Sequence, residues 1–228
     1  MSGRSGAAVR ALVVAKAPVA GQVKTRLGAD VGLEQAAGLA AAALLDTLEA
    51  CTTAYGAEHC HLALAGDLAG AVASTDLLAA VAGWTVHEQR GEDFADRLVA
   101  AHADVAASGP GPVVQVGMDT PQLTPALLEA TAEVLQEHDA VLGPAEDGGW
   151  WVLGLRDPRD AAALAGVPMS TAHTHRDTAA ALAARGLSVG TTTVLRDVDE
   201  VPDADAVARA VPGTRFARRW HALWGVGA

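Results

Sequence analysis

The sequence predicts an α/β protein with a Rossmann-like, mostly parallel sheet flanked by helices on both faces. Three observations predict it. Short β-rich runs alternate with longer Ala- and Leu-rich runs of helical period along most of the chain. No repeat, low-complexity linker or charge block divides the 228 residues, so one domain over 1–228 is expected, with 1–8 a flexible tail. The polar residues with chemical potential fall just after strand candidates, where ligands sit in such sheets.

Arg10–Ala15 is the first strand, and Leu33–Thr53 has helical periodicity. Strands follow at His59–Ala65, Trp84–Glu88, Pro112–Gly117, Ala140–Leu142, Trp150–Leu155 and Leu187–Leu195. Helices are expected over Asp67–Ala82, Asp93–Ala107, Thr124–His138, near Pro158–Ala165, over Thr171–Arg185 and through most of the tail from Ala204. Thr124 is placed to cap its helix, with Pro125 at the first helical position.

Composition narrows the function classes. Half of the residues are hydrophobic but only 4% are aromatic, so Ala, Val and Leu must fill the core. No apolar run reaches the ~20 residues of a membrane span. The polar N-terminus lacks the apolar stretch of a signal peptide, so a cytoplasmic protein with no membrane partner is expected. A formal net charge of −11 argues against a polynucleotide partner, because such binding needs a basic face. Cys51 and Cys60 lack CxxC spacing and read as reduced thiols.

In a chain this acidic, three cations within eleven residues stand out: Lys16, Lys24 and Arg26, in the loop after the first strand. Pro18 stiffens that loop, and Gly21 lets its backbone turn tightly. The cations are placed to converge on phosphate oxygens, with Arg able to bind two at once. Neither a Walker A loop nor GxGxxG is present, and a solvated basic loop is the plainer alternative. Asp119 follows the fourth strand, where a hard oxygen ligand suits Mg2+; capping of the next turn is the alternative. Asp197 and Asp199 point the same way if extended, so both can face one metal. A solvated acidic turn would explain them equally well alone, but a metal site needs carboxylates from more than one strand end.

Asp147, Gly148 and Gly149 can bring a carboxylate and bare backbone against a ligand, although Asp-Gly is also a common turn. Trp150 and Trp151 alternate across a strand, one toward the pocket and one toward the core. Gln89, Gly91 and Asp93 are placed to touch a base, ribose or acceptor, and Asp93 serves equally well as a helix cap. His173 and His175 are two apart, which on a helix turns them to different faces and argues against zinc. His59 and His61 can share a strand face, with no third ligand evident.

The ordered motifs KAPVAGQVKTRL, QRGEDFADR, GMDTPQLTP, GPAEDGGWWVLGL, VPMST and DVDE resemble the bacterial GT-A glycosyltransferase-like family called radical-SAM/selenodomain-associated transferase. More distantly they resemble 2-phospholactate guanylyltransferase and the molybdenum-cofactor nucleotidyltransferases. The resemblance runs from about Arg10 to Ala208. It implies a nucleotide-diphospho-sugar transferase fold, with a nucleotide on the Lys16–Arg26 loop, including Thr25. It also implies a metal on Asp119, with Asp197 and Asp199 contributing. Asp147, Gly148, Gly149 and Trp150, with Ser170 and Thr171 of VPMST, would border the acceptor. Thr120 stands where such proteins often carry Cys, Trp150–Trp151 where Tyr pairs are usual, and Met169 where Trp is usual. These departures bear on the acceptor rather than the nucleotide.

The expected activity is metal-dependent nucleotidyl transfer from a nucleoside triphosphate to a small, phosphorylated acceptor. Mg2+ or Mn2+ is the cofactor, and Lys24, Arg26 and Asp119 carry the catalysis. Three cations suit a triphosphate better than a diphospho-sugar. Glycosyl transfer from a nucleotide-sugar is the alternative, and a non-catalytic nucleotide-binding module a second. A homodimer is left open.

Overall fold

The computed structural model describes residues 7–224. Seven strands form one sheet: β1 (Arg10–Lys16), β2 (Cys60–Ala65), β3 (Thr85–Glu88), β4 (Val113–Val116), β5 (Ala140–Pro144), β6 (Trp150–Leu155) and β7 (Val189–Thr191). Their order is β3-β2-β1-β4-β6-β5-β7. All pairs are parallel except those of β6, which runs antiparallel to both β4 and β5. The expected mostly parallel α/β sheet is therefore present.

Eight α-helices accompany it among the described residues: α1 (Thr25–Val31), α2 (Leu33–Tyr55), α3 (Ser74–Ala80), α4 (Phe94–Ala107), α5 (Pro125–Glu137), α6 (Thr174–Ala184), α7 (Val201–Ala210) and α8 (Arg215–Leu223). Buried strands alternate their side chains between two apolar layers. On one face Val13, Leu62, Val114 and Trp151 pack with Leu44 and Leu48 of α2 and Leu128 of α5. On the other, Leu12, Leu153 and Leu155 pack with Leu98 and Val105 of α4 and Leu182 of α6. A third cluster joins α1 and α2 to α7 and α8 through Leu27, Leu39, Val207, Phe216 and Trp220. With so few aromatic residues, Ala side chains let α2 lie close to the sheet: Ala36, Ala37, Ala40 and Ala41 are all buried.

The structure departs from the sequence expectations in four elements. The segment Asp67–Ala82 is not one helix. Asp67 caps a short 3-10 turn, Leu68–Gly70, and Ala73 adopts left-handed backbone (φ 59°) before α3. Residues Pro158–Leu164 form a 3-10 helix rather than an α-helix, capped by Asp157. The last strand shrinks to three residues, with Leu195 joined to Ala145 by an isolated bridge. Helix α1 occupies the end of what reads as a loop. Thr124 caps α5 as expected, its hydroxyl accepting from the Leu127 amide. Residues 1–6 of the expected tail lie outside the described residues, as do 225–228. Among the described residues no helix is long and apolar enough to cross a membrane.

The strand order reverses direction at the β1/β4 boundary: the chain winds outward to β2 and β3 on one side and to β6, β5 and β7 on the other. Loops leaving β1 and β4 must diverge there, and a crevice opens between them. The loop after β5 opens at the same edge, because antiparallel β6 begins where β5 ends.

Candidate active site at the carboxyl edge of the sheet

Three segments distant in the chain meet at this crevice. Lys24, at the end of the β1 loop, places its Nζ 2.9 Å from Asp119 Oδ1 and 2.9 Å from Asp199 Oδ1. Arg26 Nη1 lies 3.3 Å from Asp199 Oδ2. Only 10% of the Lys24 side chain is exposed, against 71% for Arg26. Local sequence explains the convergence. Val198 is buried, and its amide donates to the Asp119 carbonyl. That contact pins the late loop onto the β4 loop. The Gln122 amide, donating to the Arg196 carbonyl at 2.7 Å, fastens it a second time. Alternation then turns the residues flanking Val198 away from the core.

The electrostatics follow from this crowding. Burial acts to lower the Lys24 pKa, but Asp119 and Asp199 outweigh it and hold the ammonium above its ordinary value. Burial likewise pushes the Asp199 carboxyl up, and Lys24 with Arg26 outweighs it to hold the carboxyl below the usual range. Asp197 is pushed up to about 6 by its burial, with the Asp147 and Asp199 carboxylates adding to it. Lys24 also has left-handed backbone (φ 47°). Such strain in a non-glycine residue persists where surrounding contacts over-determine it, and it gathers at functional sites. Ser170 (φ 58°), across the cleft, shares the feature.

The cleft has a volume of about 770 Å³. Arg26, Asp119, Asp147, Asp197 and Asp199 line it, with Gly149, Trp150, Ser170 and Thr171 toward the β5–β6 and α6 side. Asp147 closes the turn between β5 and β6: its Oδ1 accepts from the Gly149 amide at 2.7 Å. Gly148 (φ 90°) lies against the backbone of Ala172, and a Cβ there would come within 2.2 Å of the Ala172 carbonyl oxygen. Trp150 and Trp151 face opposite apolar layers. Trp150 Nε1 donates to Thr178 Oγ1, while buried Trp151 donates to the Thr193 carbonyl.

The other expected site residues do not line this cleft, although the Lys16 amide meets Met118 Sδ and Asp93 precedes Phe94, and Met118 and Phe94 both do. Lys16 is exposed at the end of β1. Pro18 accepts from the Val72 amide through its carbonyl, and Gly21 turns the loop with φ 77°. Thr25 begins α1. The Gln89 amide donates to the Ala15 and Ala63 carbonyls, so it ties the ends of β1 and β2 together. Gly91 adopts φ 142°, and Asp93 caps α4 by accepting from the Asp96 amide. His61 stacks on His87 rather than pairing with His59.

Several residues that line the cleft carry no sequence signal of a role: Phe94, Gln115, Glu146 and Asp203. Gln115 and Thr120 are each 3% exposed, and Gln115 Oε1 and Thr120 Oγ1 have no hydrogen-bond partner. Gln115 is marked only as a polar residue inside the buried run PVVQVG.

Among the described residues, no cluster of three or more His, Cys, Asp or Glu side chains is arranged to hold a metal ion. The donor chemistry nevertheless fits a divalent cation shared with a substrate. Asp119 and Asp199 are close enough for one cationic atom to touch both. Mg2+ is commonly held by one or two carboxylates plus phosphate oxygens and water.

A profile of the bacterial family described as "Uncharacterized protein conserved in bacteria (DUF2064)" matches residues 47–171, more than half of the chain. The chain belongs to this family. The DUF2064 match includes Asp119 and Asp147, while Lys24 and Asp199 fall on either side of it. No curated protein matches the chain in sequence. Solved structures do match the DUF2064 chain in fold. A Desulfovibrio desulfuricans G20 protein, provisionally described as a nucleotide-diphospho-sugar transferase, is 25% identical with a TM-score of 0.84, covering 96% of each chain. A CMP:2-keto-3-deoxy-manno-octonic acid synthetase complexed with CTP is 13% identical with a TM-score of 0.56, covering 90% of this chain and 98% of its own. Rv0371c from Mycobacterium tuberculosis H37Rv, complexed with manganese, is 20% identical with a TM-score of 0.52, covering 88% and 98%. The fold is thus that of nucleotide-diphospho-sugar transferases and nucleotidyltransferases.

Proposed function

We propose that this DUF2064 protein is a metal-dependent cytoplasmic nucleotidyltransferase. It would transfer a nucleoside monophosphate from a nucleoside triphosphate to a small acceptor and release pyrophosphate. One observation carries the reading: Lys24 and Arg26 meet Asp119 and Asp199 at the strand-order reversal, beside a cleft of acceptor size. In the reaction an acceptor oxygen forms a bond to the α-phosphorus, and the bond to the bridging oxygen of the pyrophosphate breaks. Arg26, largely exposed at the cleft, is placed to hold phosphate oxygens and stabilise their charge. Asp119 and Asp199, with Asp197 beside them in the cleft, would hold Mg2+ or Mn2+, which when bound neutralises the phosphates and orients the leaving group. The manganese complex of a structural relative and the CTP complex of another support this reading, as does the motif resemblance to guanylyl- and molybdenum-cofactor nucleotidyltransferases.

The β5–β6 turn with Ser170 and Thr171 forms the acceptor side. Acidic residues outnumber arginines along the cleft, so a phosphorylated acceptor would be held at the Arg26 and metal end. Glycosyl transfer from a nucleotide-sugar is the second reading, favoured by the likeness to the Desulfovibrio protein over nearly the whole chain. Incubation with each nucleoside triphosphate and, in parallel, each nucleotide-sugar, with Mg2+ and a pool of alcohol and phosphate acceptors, decides between them. Pyrophosphate release is expected; nucleoside diphosphate released from a nucleotide-sugar instead would establish the second reading. Asp119→Ala is expected to lower metal-dependent turnover at least 100-fold with the fold retained by circular dichroism. Unchanged turnover would remove the metal assignment.

A further inference from the structure

Asp119 and Asp199 share a single cation in this structure, and it belongs to the chain itself. Lys24 Nζ sits 2.9 Å from one oxygen of each carboxylate, with its side chain almost wholly covered. An ammonium at that point fills the space between the two oxygens that a divalent ion would need. Its charge would also repel an ion approaching either one. The loop carrying it is not relaxed: Lys24 holds left-handed backbone directly before α1, with no side-chain cap on that helix. Charge-assisted bonds to two acids offset that strain. Neighbouring Arg26 reaches the same Asp199 from the solvent side.

We infer that Lys24 is a placeholder for the divalent metal. In the nucleotide-free protein it occupies the Asp119–Asp199 pair and keeps metal affinity low. Anionic phosphate oxygens draw the ammonium off the carboxylates and leave them to the metal. Nucleotide and metal binding are then positively coupled, because each removes the obstacle to the other. This inference rests on the metal reading above and adds a coupling to it: phosphates and metal each bind more tightly in the presence of the other.

The test is Mn2+ binding to the nucleotide-free protein, read by electron paramagnetic resonance of the free ion. Five proteins are compared: wild type, Lys24→Met, Lys24→Arg, Asp119→Asn and the double variant Lys24→Met/Asp119→Asn. Lys24→Met is expected to bind Mn2+ at least tenfold more tightly than wild type. Lys24→Arg should stay as weak as wild type, because the charge is kept, and the double variant should lose the gain. Equal or weaker binding by Lys24→Met would overturn the placeholder. If Asp119→Asn also leaves Mn2+ binding unaltered in both backgrounds, the metal reading itself fails, so the two failures are distinguishable. Removing the ammonium leaves two acids facing each other, so Lys24→Met is also melted with and without Mn2+. A larger rise in Tm with Mn2+ than wild type shows, not reproduced by NaCl of equal ionic strength, supports the placeholder; no larger rise refutes it.

Discussion

Gln115 shows how a single side chain records a conflict between folding and use. It sits on the central strand β4, 3% exposed, with a carbonyl oxygen that has no partner. A buried unpaired amide oxygen costs about 1–3 kcal/mol, which a folding criterion alone would remove. Leucine has similar bulk and no such cost. Gln115→Leu is therefore expected to stabilise the protein by about 1 kcal/mol, seen as a higher urea midpoint at unchanged m. Gln115 also borders the cleft, so the same variant should raise KM for the acceptor. A lower urea midpoint would mean that the amide is satisfied in solution. The side chains that meet at the candidate site are largely legible in the sequence: Lys24, Arg26, Asp119 and Asp199 all stand out as cations or acids just beyond strand candidates. Their pairing is not. Three loop cations read as a free phosphate cradle, whereas two of them already neutralise carboxylates. No local pattern reveals a partner 175 residues away.

Among the elements, those set by local rules matched their sequence signals, and those set by tertiary contact did not. Helix α5 begins where Thr124 and Pro125 put it, because cap and first-turn geometry are local properties. Strands β1, β2 and β6 were readable from their apolar runs. The break before α3 was not, because it depends on Ala73 adopting a backbone that alanine rarely takes. The short β7 was overread, since only three residues of that apolar run find a parallel partner before the chain leaves the sheet. The turn between β5 and β6 is the element on which the cleft wall depends. Gly148 has φ 90° and touches the backbone of Ala172, leaving no room for a side chain. Gly148→Ala is expected to cost about 2–4 kcal/mol, combining left-handed strain with a backbone displacement. Urea denaturation measures it, and a loss below about 0.5 kcal/mol would show that the turn yields freely.

At the scale of the whole molecule, two buried histidines are expected to contribute most to acid sensitivity between about pH 6.5 and 4. Burial lowers the pKa of His102, on α4, to about 4. His61, on β2, is lowered to about 4 chiefly by burial, with His87, Arg10 and His59 adding to it. The unfolded chain takes up these protons near pH 6.5, whereas the folded protein refuses them until about pH 4. Stability is therefore lost as pH falls across that window, by up to about 3 kcal/mol for each histidine. Urea midpoints at pH 7 and 4.5 should differ strongly for wild type and much less for His61→Leu/His102→Leu. An equal difference in both proteins would assign the acid response to carboxylates. The antiparallel course of β6 carries a last consequence. It folds β5 and β6 into a hairpin whose tip, Asp147–Gly149, borders the cleft. Hairpin tips accept insertions and exchanges more readily than the strands beneath them. Change at that tip is thus confined to the positions beside Gly148, whose packing leaves no room for a side chain, and it leaves Lys24, Asp119 and Asp199, which come from other loops, in place.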